Sequence, residues 1–193
     1  MADPRQEELF SPLSDLQAAQ WLLGELHDDL PGRVARFQQV NDLCATLGST
    51  GTMIPGEVAY AAWLEARSSF VNGNYVATVI LCQGLAEHML ASHLTLSLRA
   101  PELPKKIGFQ ETVSRCVEQG VIEPSLAAHL KQLMGLRNPL CHFRRVDDPE
   151  SLFRRALDSQ TPTQVTLQRD ATFAIGVAVD LLASPAFRLG RQG

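Results

Sequence analysis

Long apolar runs are missing from this 193-residue chain: no eighteen consecutive residues are apolar, which leaves no stretch suited to a helical membrane span. Disorder is equally disfavoured, because 45% of residues are hydrophobic and only 20% are charged. Cysteine is sparse. Cys44, Cys82, Cys116 and Cys141 stand far apart, with no C-x-x-C pair and no Cys/His spacing of a zinc site, so reduced thiols without a structural disulfide are expected. His88 and His93, five apart, would point to different sides of a helix and make a poor metal pair. Aromatics make up 6% of the chain, and Trp21 and Trp63 read as packing residues rather than base-stacking platforms. There is no glycine-rich phosphate loop, no G-x-S-x-G and no pair of aspartates at metal spacing. The opening Met1-Ala2-Asp3-Pro4-Arg5 lacks the basic start and short apolar stretch of a secretory signal, which implies a cytoplasmic location.

What the sequence does contain is helical periodicity. Ser14 is placed to cap a helix through about residue 29, and Pro31 suits the first turn of a second helix reaching about residue 47, so residues 1–48 read as a helical hairpin extension. The turn-rich segment 49–56 separates it from a main body over residues 57–184, followed by a tail over 185–193. Within that body Asn72-Gly73 ends one helix, and the next, from Tyr75, is apolar almost all round, as expected for the central helix of a bundle. Further helices follow from about Phe109, from Pro124, from Ser151 and from about Val165. Nothing alternates at period two and no internal repeat occurs. The expected fold is an all-α antiparallel helical bundle with an N-terminal helical hairpin.

Charge is unevenly distributed. Residues 1–65 carry 3 basic and 10 acidic side chains, and the remainder 14 and 11, so any polyanion site belongs in the second part. One segment there combines a permanent cation, an amide and a group that exchanges a proton near neutral pH: Arg137-Asn138-Pro139-Leu140-Cys141-His142. In an unbroken helix Asn138 and His142 share a face, whereas Arg137 and His142 lie roughly 140° apart. Pro139 permits two geometries. A kink could be absorbed at Gly135, four residues back, or the helix could end near Leu136 and restart with Asn138 as N-cap. Lys131, Arg144, Arg145, Arg154 and Arg155 surround the segment in sequence and are either candidate phosphate ligands or a solvated charged face. His142 would act as general base toward a ribose 2′-hydroxyl, Arg137 would neutralise charge on the attacked phosphate, and Asn138 would orient one of them, with no metal or other cofactor. The competing reading makes Arg137 and His142 ordinary partners of a helix C-terminus.

Two stretches together resemble the HEPN superfamily. The first, Phe70-Val71-Asn72-Gly73-Asn74-Tyr75-Val76-Ala77-Thr78-Val79-Ile80 continuing to Leu85-Ala86-Glu87-His88-Met89-Leu90, is similar to that family's small turn, Tyr, alanine-rich helix and Glu about a dozen residues later. The second, Leu136-Arg137-Asn138-Pro139-Leu140-Cys141-His142-Phe143, is similar to its Arg, polar residue, spacer and His. The likeness covers roughly residues 57–184. It implies a homodimer that brings two Arg/His motifs into one cleft and cuts RNA, single-stranded by expectation, with Arg137, Asn138 and His142 functional and Glu87 supporting. Toxin, defence or RNA-processing roles, with an antitoxin or regulatory protein as partner, follow from the same likeness. Arg144 stands where toxins paired with a nucleotidyltransferase antitoxin have a modifiable Tyr, a departure that argues against that form of neutralisation. The family also contains catalytically silent modules that bind a protein or nucleotide, which is the alternative function. Gln83 and Glu87 sit four apart on a helix otherwise too apolar for water, so either Glu87 has a buried cation or hydrogen bond, with Arg137 the candidate, or the two form a narrow solvent stripe.

Overall fold

A computed structural model describes residues 14–48, 51–96, 104 and 106–189. Its described residues form seven α-helices: α1 (Asp15–Ala45), α2 (Glu57–Val71), α3 (Tyr75–Leu96), α4 (Phe109–Glu118), α5 (Pro124–Cys141), α6 (Leu152–Asp158) and α7 (Thr163–Ala183), then a 3₁₀ turn at Pro185–Phe187. The fold is an all-α bundle, and no helix among the described residues is long and apolar enough to cross a membrane.

By its internal contacts the chain divides into residues 1–35 and residues 36–193. The first unit is described from Ser14, whose side chain accepts from the Gln17 N–H at 3.3 Å while Gln17 Oε1 accepts from the Ser14 N–H at 3.0 Å, a capping box that starts α1. The expected hairpin is instead one continuous helix of 31 residues that passes through Pro31. Proline fixes φ near the helical value and costs one hydrogen bond and a clash with the carbonyl four residues back. The Asp29–Arg33 ion pair, at 2.7 Å, straddles that position. Gly24, Pro31 and Gly32 together cost about 5 kcal/mol of helix propensity relative to alanine, yet Leu16, Leu23, Leu26, Leu30 and Val34 are all exposed.

The second unit begins inside α1 rather than at the 49–56 loop, because Val40 is buried in the core and Leu43, Cys44 and Leu47 pack against it. Gly73, at φ +75°, closes α2 in the left-handed conformation that favours glycine, and α3 starts two residues later. Helix α3 is the centre of the bundle, packed against α2, α4, α5 and α7. That position explains why it is apolar almost all round: Val79, Cys82, Leu85, Ala86, Met89 and Leu90 are all buried. Helix α7 packs against it and buries Ala171, Ala174, Ile175, Ala178 and Leu182 in the core. The expected C-terminal tail is corrected over residues 185–189. Phe187 is fully buried, the Met53 N–H donates to its carbonyl at 2.8 Å, the Leu189 N–H donates to the Gly51 carbonyl at 2.9 Å, and Thr52 and Arg188 form an isolated antiparallel bridge.

Candidate functional site

Helix α5 positions the Arg137–His142 segment. Pro124 at its first position forfeits a hydrogen bond that a helix start does not use, and Leu126, Leu130 and Leu133 anchor one face in the core. The helix then runs unbroken through Pro139 to Cys141, so of the two geometries open to the sequence the restart does not occur, and Asn138 is not an N-cap. Gly135, four residues before the proline and without a side chain, is where the clash falls.

His142 follows as the C-terminal cap, in extended conformation (φ −125°, ψ 135°), its N–H donating to the Asn138 carbonyl at 3.0 Å. Its imidazole is exposed, whereas Arg137 and Asn138 are half-buried. A phosphate at His142 would therefore not meet the free amides of a helix N-terminus, and its binding falls to side chains. Arg137 is the side chain at hand. Its Nε is buried with no hydrogen-bond partner, and among the described residues no carboxylate lies within ion-pair distance of its guanidinium.

The other basic candidates are placed differently. Arg144 contacts Asp148 at 3.4 Å and Glu150 at 3.1 Å, Arg145 contacts Asp147 at 3.0 Å, and Arg154 contacts Asp158 at 2.9 Å. Arg155 makes a two-pronged bond to Asp170, with 2.9 and 2.7 Å between the nitrogens and oxygens, and Asp170 is only 5% exposed. Lys131 is exposed on α5. Of the five arginines between 137 and 155, Arg137 alone lacks a carboxylate partner among the described residues.

Glu87, half-buried on α3, makes no ion pair with Arg137, although α3 and α5 pack together. Its neighbour one turn back, Gln83, is the more deeply buried of the two at 3% exposed, and its Oε1 has no partner. Buried polar atoms of this kind are uncommon, since each forfeits hydrogen bonds that water would supply. Two features escaped sequence reasoning. Phe143, beside His142, is 92% exposed, and nothing in its local pattern distinguishes it from a core aromatic. A cleft of about 330 Å³, lined by Val121, Glu123, His129, Asp180 and Ser184 among others, joins segments some sixty residues apart and takes in none of the motif residues.

All four cysteines are free. Burial pushes the Cys116 thiol up to about 12 and the Cys82 thiol higher still, while Cys141 is exposed next to His142. No family model, curated protein or solved structure matches this chain.

Proposed function

We propose that the chain is a metal-independent endoribonuclease of HEPN type, working through Arg137 and His142. The observation that carries this reading is the contrast among the arginines: four of the five around the motif are neutralised by carboxylates, and the one five residues before an exposed histidine is not. An ordinary helix-end role would engage both groups with neighbouring partners. Instead a permanent cation and a proton acceptor stand ready at one end of α5.

In the reaction His142 takes the proton from a ribose 2′-hydroxyl, the 2′-oxygen attacks the adjacent phosphorus, and Arg137 balances the charge that develops on the phosphoryl oxygens. The bond to the 5′-oxygen breaks, leaving a 2′,3′-cyclic phosphate and a 5′-hydroxyl. The leaving oxygen needs a proton, which a second His142 supplies if two copies share the cleft. Asn138 orients the reacting groups, and Glu87 is a supporting residue on α3. RNA, a second copy of the chain and a regulatory or antitoxin protein are the partners this reading implies, in the cytoplasm. A second reading has its own support. With Arg144, Arg145, Arg154 and Arg155 already engaged by carboxylates, little uncompensated charge remains to track a phosphate backbone, which favours a silent HEPN-like module that binds a protein or nucleotide.

Purified wild type and the His142→Ala variant, incubated with end-labelled single-stranded RNA in EDTA, separate the two. Cleavage to cyclic-phosphate ends that falls about 10²-fold or more in the variant is the expected result. Equal cleavage by both proteins, or none across varied RNAs, supports the binding module.

A further inference from the structure

Phe143 is 92% exposed, whereas no other large apolar side chain among the described residues exceeds 69%. It makes no ring pair and no cation–π contact among those residues. Both faces of the ring are open to solvent, and the chain forgoes the stabilisation that burying a phenylalanine gives. The backbone that carries the ring is nevertheless held on both sides. Before it, the His142 N–H donates to the Asn138 carbonyl at 3.0 Å. After it, Arg144 is half-buried between Asp148, at 3.4 Å, and Glu150, at 3.1 Å. The Asp148 N–H donates to the Arg145 carbonyl at 3.1 Å, and the Glu150 N–H to the Asp148 carboxylate at 2.8 Å. A ring on an anchored backbone costs less to order when something binds it.

The residues beside the ring indicate its ligand. His142 and Arg145 are exposed and Arg144 partly so, which flanks the ring with polar groups. A protein surface closing over Phe143 would cover one ring and strip water from those neighbours. An unpaired nucleobase offers a flat face to the ring and leaves its polar edges and phosphates to the groups alongside. His142 is extended, so its side chain and that of Phe143 leave the backbone on different sides. The ring is thus placed for the base of a nucleotide adjoining the one whose phosphate lies at His142.

We propose that Phe143 is a stacking platform for an unpaired base, so that single-stranded RNA is recognised here by a base beside the scissile phosphate more than by its backbone charge. The inference rests on the ribonuclease reading for one point, that RNA comes to His142. It also accounts for the carboxylates around the motif: Asp148 and Glu150 hold Arg144 as an anchor for the platform, and with Arg145 and Arg154 likewise engaged, base stacking supplies the affinity that phosphate contacts do not.

RNA binding, scored apart from cleavage, tests this on the full chain carrying His142→Ala, in which bound RNA stays intact. With Phe143→Trp added, emission of the new indole, corrected for Trp21 and Trp63 with the His142→Ala parent, should be quenched by a short single-stranded RNA and not by that strand annealed to its complement. Phe143→Leu should weaken single-strand binding at least about fivefold, the loss of one stacked base, whereas Phe143→Tyr, which keeps the ring, should bind as the parent does. Asp148→Asn should weaken binding by loosening the anchor; a gain would mean that it frees Arg144 for phosphate. The logarithm of affinity should fall with that of salt no more steeply than about −1.4, the slope of two phosphate contacts. Absence of RNA binding, equal quenching by duplex, parent-like binding by Phe143→Leu, a gain in Asp148→Asn or a steeper salt slope overturns the inference, as does emission that follows protein concentration alone, which would assign the ring to a contact between copies. Cleavage by wild type together with parent-like binding by Phe143→Leu leaves the ribonuclease reading without the platform; ring-dependent binding with no cleavage by wild type leaves the platform without the ribonuclease.

Discussion

His93 shows how one buried contact sets a pH response. Its ring meets Phe187 edge-on with centroids 5.5 Å apart, and desolvation lowers its pKa below the ordinary 6.5. The unfolded chain therefore takes up this proton before the folded one does. The contribution is absent above pH 6.5, and stability is lost as pH falls through 6.5 toward the lowered folded value. A denaturant midpoint that drops between pH 7.5 and 5, with a smaller drop in His93→Gln, is the expected outcome; an identical drop in both would remove His93 from the account. Sequence gave no sign of this contact, since Phe187 lay in what read as a tail. Arg155 is the converse case. It was legible as a cation near the motif, but its partner Asp170 lies fifteen residues on, within a helix whose other residues spoke only of core. The motif itself was legible because its residues are adjacent in the chain, and the carboxylates that neutralise its surroundings were visible only as an acidic run, not as partners.

At the scale of the element, the two prolines inside helices read differently from sequence: Pro31 reads as the start of a second helix, whereas Pro139 leaves both a continuous helix and a restart open. A boundary suggests itself at either one, because a proline removes a donor and crowds the preceding turn. Each is nevertheless carried within a continuous helix. The local cost is fixed by sequence, whereas the core packing that offsets it in α5 is not. Helix α6 poses the opposite problem, since seven residues are too few to persist alone. Ser151 caps it, accepting from the Arg154 N–H at 3.1 Å, and the Arg155–Asp170 bond ties it to α7. Asp170→Ala strands a largely buried guanidinium and should destabilise the protein by about 3 kcal/mol. The double variant Asp170→Leu with Arg155→Met should recover part of that loss. Urea unfolding of the three proteins measures both, and a single variant as stable as wild type would mean the pair does not anchor α6.

For the whole molecule, the fold class was readable because periodicity and the absence of alternation are properties of long segments that no single contact overturns. Boundaries were less readable. The compact unit starts at Arg36 and includes the 185–189 segment, because Val40 and Phe187 reach the core from outside the segment assigned to it. Protection from hydrogen exchange should follow burial. The slowest amides are expected in α3 and α7, whose inner residues are almost all inaccessible, and the fastest helical amides in residues 15–28 of α1. Amides of α1 as slow as those of α3 would contradict this.

The position of α7 in the chain has a consequence for biosynthesis. Helix α3 is made early, yet the helix that covers much of it is translated some seventy residues later. On the ribosome, the face of α3 that packs against α7 thus emerges well before its cover exists. The nascent chain carries an open apolar groove until residue 183 leaves the exit tunnel, and a translation product that stops short of Thr163 would be a client for chaperones rather than a smaller folded protein.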